Sequence, residues 1–558
     1  MKVESVNKTL EKSFRDNWWR PAISNYKGET INYAMMAERI EIIHTIFERY
    51  GLKKGERVAI CGRNQVNWAV SFLGALTYGA VPVPLLHEFN PESVVGLVLH
   101  SEARVLFVDD TIWPNLDHEG LKALDAVVRL SDLDFLMAKD SELGDLRAAV
   151  IAEFRNHYPY GLRAEDINYY EDKPDELALI NYTSGTSGFS KGVMIPYRAI
   201  ACNMEFAANV AEPQMDCNSN MVSMLPCAHM YGLMFEFLFE MAIGAHVHFL
   251  TRMPSPKVIM GAFQYIHPSV IVAVPLIIEK VYKSQLKPVA DKLRFFIGAP
   301  FIGNIIRKTI CKKVKTAFGG EFEEVILGGA AVNPEVEKFF HKIKFPFTVG
   351  YGMTECAPLI CTAGVKQTHV GTTGGAAYGV DVKLINVNPE TGEGEIVVKG
   401  DNVMIGYYRD PERTKSVFTE DGWFKTNDLA GVDEKGRYSI KGRLNNMILG
   451  PSGENIYPEE IEKVINAIDG VDESLVVERD GKLVALVQLN KNVLDWNQET
   501  EDQFFEKLEA RKQAILNFVN KKVNRSSKVA GVEVVKEPFE KTATKKIRRF
   551  KYTDRTGL

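Results

Sequence analysis

Short β-branched runs recur along this chain with helical stretches between them. The runs include Arg57-Val58-Ala59-Ile60, Val105-Leu106-Phe107-Val108, Val270-Ile271-Val272-Ala273 and Glu324-Val325-Ile326-Leu327, and the helical stretches include Tyr33 to Tyr50 and Asn333 to Lys344. This alternation predicts an α/β fold with largely parallel sheets. The most hydrophobic stretch, Ala69 to Leu86, contains Ser71, Thr77, Pro82 and Pro84. It reads as a buried helix followed by a buried strand, not as a membrane span. After about Gly394 the turns become dense in Gly, Asp and Asn, which predicts a small β-rich part over 394–443. Beyond Arg443 the alternation returns. Pro458 to Ile468 and Phe504 to Asn524 read as helices, and Ser474–Val477 and Leu483–Val487 as strands. The expected organisation is a large N-terminal body, 1–443, and a C-terminal α+β domain, 444–558.

Composition narrows the function classes. The 558 residues are 46% apolar and 25% charged with a net charge of −5. That is globular composition without the basic footprint of a nucleic-acid binder. The seven cysteines are odd in number and form no C-x-x-C pair, which disfavours a zinc ribbon or a disulfide framework. Met1 to Leu10 lacks the apolar core of a signal peptide, so a reduced, cytoplasmic protein is expected. One stretch, Glu279 to Lys315, holds ten basic and two acidic residues. A solvated helix face explains it first, and peripheral contact with anionic lipid second.

Five segments carry chemistry. Tyr182-Thr183-Ser184-Gly185-Thr186-Ser187-Gly188-Phe189-Ser190-Lys191-Gly192 follows the apolar run Leu177–Ile180 and leaves a strand end. Glycines let N–H groups turn toward an anion, hydroxyls add donors, and Lys191 can neutralise phosphate charge. The segment lacks the G-x-x-x-x-G-K-[ST] pattern, and on composition a flexible loop fits equally well. Gly350-Tyr351-Gly352-Met353-Thr354-Glu355 offers a ring for stacking in Tyr351 and a hard oxygen for Mg²⁺ in Glu355. In Gly422-Trp423-Phe424-Lys425-Thr426-Asn427-Asp428-Leu429, Asp428 can accept from both hydroxyls of a ribose. Tyr438 to Arg443 and the basic run Glu540 to Arg549 complete the set.

In this order and spacing the five segments resemble the adenylate-forming enzymes, which include acyl-CoA synthetases, aryl-CoA ligases, peptide-synthetase adenylation domains and beetle luciferases. The resemblance implies joining of a carboxylic acid to ATP, giving acyl-adenylate and pyrophosphate, and then transfer to a thiol, usually that of coenzyme A. It implies that Thr183, Ser184, Gly185, Thr186, Ser187, Gly188 and Lys191 form the phosphate loop. Gly328, Gly329 and Ala330 border the adenine and acyl pocket, and Tyr351 stacks on adenine. The same resemblance implies that Thr354 contacts phosphate, Glu355 holds Mg²⁺, Asp428 binds ribose, Arg443 lies near it and Lys546 serves adenylation. This lysine follows Lys545 where glycine is usual, and directly precedes Ile547 as the motif requires. Asn427 also replaces a usual glycine, and Ser190 a common proline. The C-terminal domain is implied to rotate about a hinge at Asn445 and to present Gly453, Glu454 and Asn455 toward coenzyme A.

Leu225 to Gly232 resembles the segment lining the acyl channel, with His229 beside the reacting carboxylate and Met230, Tyr231 and Gly232 after it. Gly352 stands where the acetate-using branch carries a blocking Trp, so a longer acyl group is expected. Val274 to Tyr282, the basic stretch after it and Gly453 to Pro458 resemble long-chain fatty acyl-CoA synthetases. A medium- or long-chain fatty acid is therefore the first expectation. An aryl acid, loading of a separate carrier protein, and a non-catalytic nucleotide or lipid binder stay open as alternatives. Partners are expected to be the small-molecule substrates, with a homodimer left open.

Overall fold

The computed structural model describes residues 1–553 apart from 140–142, 184–189, 212–214, 252–254, 283–286, 288–301, 450–454, 480, 491–492, 494–500, 525–526 and 543–545. Helix α1 (Tyr33–Arg49) fills the first helical period, and the Asn32 side chain caps it by accepting from the Met35 N–H. Then β1 (Arg57–Cys61), α2 (Val66–Tyr78), β2 (Val81–Leu85), β3 (Ala103–Val108), β4 (Ala126–Arg129) and β5 (Phe135–Ala138) follow. Their strands form a sheet in the order β2-β1-β3-β4-β5, parallel except for β5.

Val58 and Ile60 of β1 enter one hydrophobic core while Ala59 and Cys61 enter another on the opposite face. A strand buried on both faces reads as an unbroken apolar run, which is why period-two alternation is missing here. The Ala69–Leu86 stretch becomes buried α2, a left-handed Gly79 at φ 85°, and β2. Pro82 and Pro84 fit because β2 is the terminal strand of the hydrogen-bonded order.

The middle of the chain departs from an all-parallel plan. β6 (Leu177–Thr183) and β7 (Lys191–Pro196) form an antiparallel hairpin whose last pair is Thr183 with Lys191, and α3 (Tyr197–Ala211) follows. A helical stretch, 230–243, contains a π turn at Met234–Leu238. Parallel order resumes with β8 (Val270–Ala273), β9 (Glu324–Leu327) and β10 (Phe347–Val349). Between them lie α4 (Ile302–Ala317) and α5 (Pro334–Ile343), the latter capped by Asn333 and ended by Lys344 at φ 55°. On α4, Ile310 and Val314 are buried while Lys308, Lys312 and Lys313 face solvent. The described part of the basic stretch is thus a solvated helix face, and 283–286 and 288–301 lie outside the described residues.

β11 (Tyr351–Gly352) and β12 (Leu359–Thr362) form a short antiparallel pair. β13 (Val380–Ile385), β14 (Glu393–Gly400), β15 (Phe424–Val432) and β16 (Tyr438–Arg443) then make an antiparallel sheet in chain order. After it come α6 (Pro458–Asn466), β17 (Val471–Arg479), β18 (Lys482–Leu489), α7 (Glu501–Lys522) and β19 (Gly531–Val534). The buried apolar residues from Val3 to Tyr438 and those from Ile456 to Phe539 fall in separate clusters.

Candidate active site

The parallel strands β8, β9 and β10 end on one side, and the chain turns there through Gly328-Gly329-Ala330 and Gly350. Open α/β sheets bind ligands beyond the carboxyl ends of their strands. Gly329 sits at φ 80°, a conformation that costs glycine little, and the Gly350 N–H donates to the Leu327 carbonyl at 2.8 Å. Gly352 admits no side chain, because a Cβ there would lie 2.0 Å from the Pro358 carbonyl oxygen. The missing wall expected at this position is thus also a backbone requirement.

Beside these strand ends lies a buried polar corner. Asp428 on β15 faces Arg443 on β16 as a Cα pair, and its Oδ1 lies 3.2 Å from Arg443 Nε. The Tyr351 hydroxyl donates to Asp428 Oδ2 at 2.7 Å. Burial raises the Asp428 carboxyl above its ordinary value, opposed by Arg443 and by the Tyr351 hydrogen bond. Asn427, just before it, sits at φ 61°, with its N–H donating to Glu395 Oε1 at 3.1 Å. Only a few residue types tolerate this conformation, asparagine among them, so the turn that aims Asp428 survives without glycine.

A second group surrounds Glu355. Its Oε1 accepts from the Tyr407 hydroxyl at 2.9 Å, and its carbonyl accepts from the Met404 N–H at 2.9 Å. Lys191 Nζ stands 5.3 Å from the centre of the Tyr407 ring. Burial lowers the Lys191 ammonium, and the Glu355 carboxylate opposes that shift. Thr354, buried beside Glu355, starts a short 3-10 turn. Among the described residues no three His, Cys, Asp or Glu side chains group as a metal cage. Glu355 alone still fits Mg²⁺ chemistry, since that ion is usually held by one or two carboxylates together with substrate phosphates.

The C-terminal part closes over this face. Lys541 and Ile547 form an isolated antiparallel bridge, and the Thr542 N–H donates to the Lys546 carbonyl at 2.8 Å. Lys546 opens onto the cleft, yet enough protein surrounds it to lower its ammonium. Arg443 adds to that shift, while the charges of Asp428 and Glu355 oppose it. Lys545 lies outside the described residues. At the junction, Asn446 Nδ2 donates to Glu459 Oε1 at 2.5 Å, and Lys441 Nζ bridges Glu393 at 3.2 Å and Glu460 at 3.7 Å. Asn445 is exposed in the 3-10 turn Leu444–Asn446.

A cavity of about 110 Å³ adjoins this face. One wall is the face of the parallel sheet that carries Val270 and Val272, Glu324, Ile326 and Gly328, and Thr348, positions two apart on each strand. The opposite wall is the stripe Tyr231, Phe235 and Phe239, spaced by four on the 230–243 helical stretch. Met230 and Gly232, expected in the pocket, do not line it. Met230 turns into the core, and Gly232 packs against the Pro226 carbonyl. His229 stands at the mouth and its Nδ1 accepts from the Tyr231 N–H at 3.3 Å, which leaves Nε2 to carry the proton. Burial, with Lys546 adding to it, pushes the imidazole down to about 4, so the ring is neutral at pH 7.

Residues 10–408 match the family described as AMP-binding enzyme. This chain belongs to that family. Two curated relatives are informative. Long-chain-fatty-acid–CoA ligase 3 of Saccharomyces cerevisiae is 26% identical over 505 residues, covering 83% of this chain and 71% of the relative. Long-chain-fatty-acid–[acyl-carrier-protein] ligase AEE15, chloroplastic, of Arabidopsis thaliana is 26% identical over 588 residues, covering 89% and 78%. The crystal structure of ATP-bound MatB from Rhodopseudomonas palustris superposes with a TM-score of 0.75 at 23% identity over 99% of each chain, a likeness of fold.

In this AMP-binding enzyme the structure brings Thr183, Lys191, Gly328, Gly329, Tyr351, Gly352, Thr354, Glu355, Asp428, Arg443, His229 and Lys546 to one cleft and its cavity. Residues 184–189 of the phosphate segment and Gly453 and Glu454 lie outside the described residues, and Asn455 begins a short strand, Asn455–Ile456. Tyr407 escaped the sequence reading. A Tyr in an exposed-looking turn carries no local signal, and its role arises from the pairing of Gly406–Tyr407 with β7. Because Asn427 holds a left-handed turn, Asn427→Ala should cost about 1 kcal/mol of stability and weaken nucleotide binding, whereas Asn427→Gly should match the wild type. Thermal unfolding with and without AMP checks this.

Proposed function

We propose that the chain activates a medium- or long-chain fatty acid with ATP, forming acyl-AMP and pyrophosphate, and transfers the acyl group to coenzyme A with release of AMP. The observation that carries the reading is the largely apolar cavity lined by His229, Tyr351 and Thr354, residues that adjoin Asp428, Glu355 and Lys546. Each buried CH₂ contributes about 0.8 kcal/mol, so an acyl chain gains affinity as it descends between the phenyl stripe and the sheet.

The roles follow from the geometry. Asp428 accepts the ribose hydroxyls, with Arg443 and Tyr351 holding its two oxygens, and the Tyr351 ring lies against adenine. Lys191, Thr183 and Thr354 face the phosphates, and Glu355 with those phosphates would hold Mg²⁺, which screens phosphate charge when bound. The neutral His229 donates from Nε2 to the substrate carboxylate and orients it. That carboxylate is already ionised, so no base is needed for its oxygen to attack the α-phosphorus. As the bond to pyrophosphate breaks, negative charge builds on the phosphoryl oxygens, and Lys546 stabilises it. Division into 1–443 and 444–558 then allows the second part to rotate about Asn445, withdraw Lys546 and admit the thiol at the 453–455 loop. The free cysteines fit a reducing, cytoplasmic setting, and exposed Lys308, Lys312 and Lys313 fit peripheral contact with anionic lipid.

The likeness to a carrier-protein ligase favours one second reading, a carrier protein as acceptor. AMP and pyrophosphate release with ATP, Mg²⁺ and acids from acetate through palmitate to benzoate, with and without coenzyme A, separates the two. CoA-dependent AMP release peaking on a fatty acid is the expected result. Pyrophosphate release indifferent to coenzyme A would move the acceptor to a carrier protein, and a peak on benzoate would move the acid class.

A further inference from the structure

The acyl cavity is not apolar to its end. Glu240 in the 230–243 helical stretch and Glu324 at the head of β9 both line it, and they are only 1% and 3% exposed. Oε2 of Glu240 and Oε1 of Glu324 are buried without a hydrogen-bond partner among the described residues. Burial holds the Glu240 carboxyl up at about 8 and that of Glu324 at about 7. At neutral pH Glu240 is therefore mostly protonated and Glu324 about half so, and a protonated carboxyl both donates and accepts. Glu236, one turn before Glu240, also keeps one oxygen, Oε1, buried without a partner among the described residues, but its Oε2 accepts from the Ser223 hydroxyl and from the Met224 and Leu225 N–H groups, and it does not line the cavity.

Both cavity carboxyls lie far from the reacting end. Glu324, Ile326 and Gly328 share one face of the β9 strand line, and four strand residues span about 13 Å. From His229 to Glu240 the helical stretch rises about 16 Å. A plain methyl end reaching this depth would leave two buried hydrogen-bonding groups unpaired, and that is the costly case. A hydroxyl both donates and accepts, so it satisfies a neutral carboxyl without demanding a buried charge.

We propose that Glu240 and Glu324 form a polar end to the acyl cavity that binds a hydroxyl on the distal part of the substrate chain, so that the preferred acid is a hydroxylated fatty acid. This rests on the fatty-acid reading above. A site built around buried polar groups rejects the analogue lacking the polar atom far more strongly than an apolar pocket rejects an added one.

The test compares kcat/KM, by AMP release with coenzyme A, for dodecanoate and hexadecanoate against their terminal hydroxyl and terminal amino analogues. One hydroxyl analogue is expected to exceed its parent by about ten-fold or more. Glu240→Leu and Glu324→Leu should each lower that ratio several-fold, chiefly through KM. Glu240→Gln and Glu324→Gln should retain most of it, since an amide also donates and accepts. The wild-type panel and the Gln variants stand even if a Leu variant does not fold. Equal or better use of the parent acid at both lengths, preference for the amino analogue, or ratios unchanged in folded Leu variants would each overturn the proposal. If no acid releases AMP, the ligase reading fails instead. Calorimetric binding of the same pairs then still shows whether the cavity prefers the hydroxyl.

Discussion

Lys546→Ala is expected to slow acyl-adenylate formation by about 10²–10³-fold, the usual loss when one preorganised group facing developing charge is removed. Lys546 is held to Thr542 by two backbone-anchored hydrogen bonds and lies within the fields of Asp428, Glu355 and His229. Its ammonium is already disfavoured by burial and by Arg443. Arrival of the triphosphate supplies the compensating charge, so the interaction strengthens as the α-phosphoryl becomes more negative. Pyrophosphate exchange should report the full loss. Transfer from supplied acyl-AMP to coenzyme A should stay within a few-fold of wild type if the rotation proposed above withdraws the lysine in that step. Equal loss of both half-reactions, or the loss appearing in Lys545→Ala and not in Lys546→Ala, would remove Lys546 from the role given to it.

The second large effect concerns the ribose corner. Asp428→Ala should weaken ATP and AMP binding by roughly 2–3 kcal/mol, the range for hydrogen bonds to a charged group. A factor of ten is 1.4 kcal/mol, so Kd should rise by about 30–150-fold. The buried carboxylate holds the Tyr351 hydroxyl and the Arg443 guanidinium, so removing it also frees both to move. Arg443 is partly solvent-exposed and can rehydrate, which keeps the stability loss smaller than for a fully buried pair. Calorimetry with ATP and with a nucleotide lacking the ribose hydroxyls gives the decisive comparison. Wild type should bind the stripped nucleotide about as weakly as the variant does, and the variant should not distinguish the two. A variant that still prefers the intact ribose would place ribose recognition elsewhere.

Much of this architecture was legible because it is written in local periodicity. The run Glu324–Leu327 and the helix within Asn333 to Lys344 appear where the local pattern put them. The Ala69–Leu86 stretch divided into helix and strand because Gly79 can take a left-handed turn and an edge strand tolerates Pro82 and Pro84. The antiparallel hairpin carrying Thr183 and Lys191 was less legible. Strand direction depends on how the chain returns, and β-branched composition does not record it.

The site divides the same way. Asp428, Glu355, Tyr351 and Lys546 were named from sequence through the five motifs taken in order, since each residue alone fits a turn, a surface carboxylate or a solvated tail equally well. Met230 and Gly232 were placed in the pocket by the resemblance of the whole segment Leu225 to Gly232, but successive helical residues point about 100° apart. The helix presents Tyr231, Phe235 and Phe239 instead. Glu324 at the first position of an apolar strand looks like a solvated end, and Glu240 on a helix looks like a surface charge. What a carboxyl meets is decided by elements distant in the chain: the stripe from 231 to 239 and the face of β8, β9 and β10 line one cavity with both acids. The sequence by itself determined the strands, the helices and the atoms available for nucleotide chemistry, since those depend on neighbours a few residues away. Only the tertiary structure decided which of those atoms share one cleft and which buried acids lack a partner, since burial and charge fields arise from through-space packing.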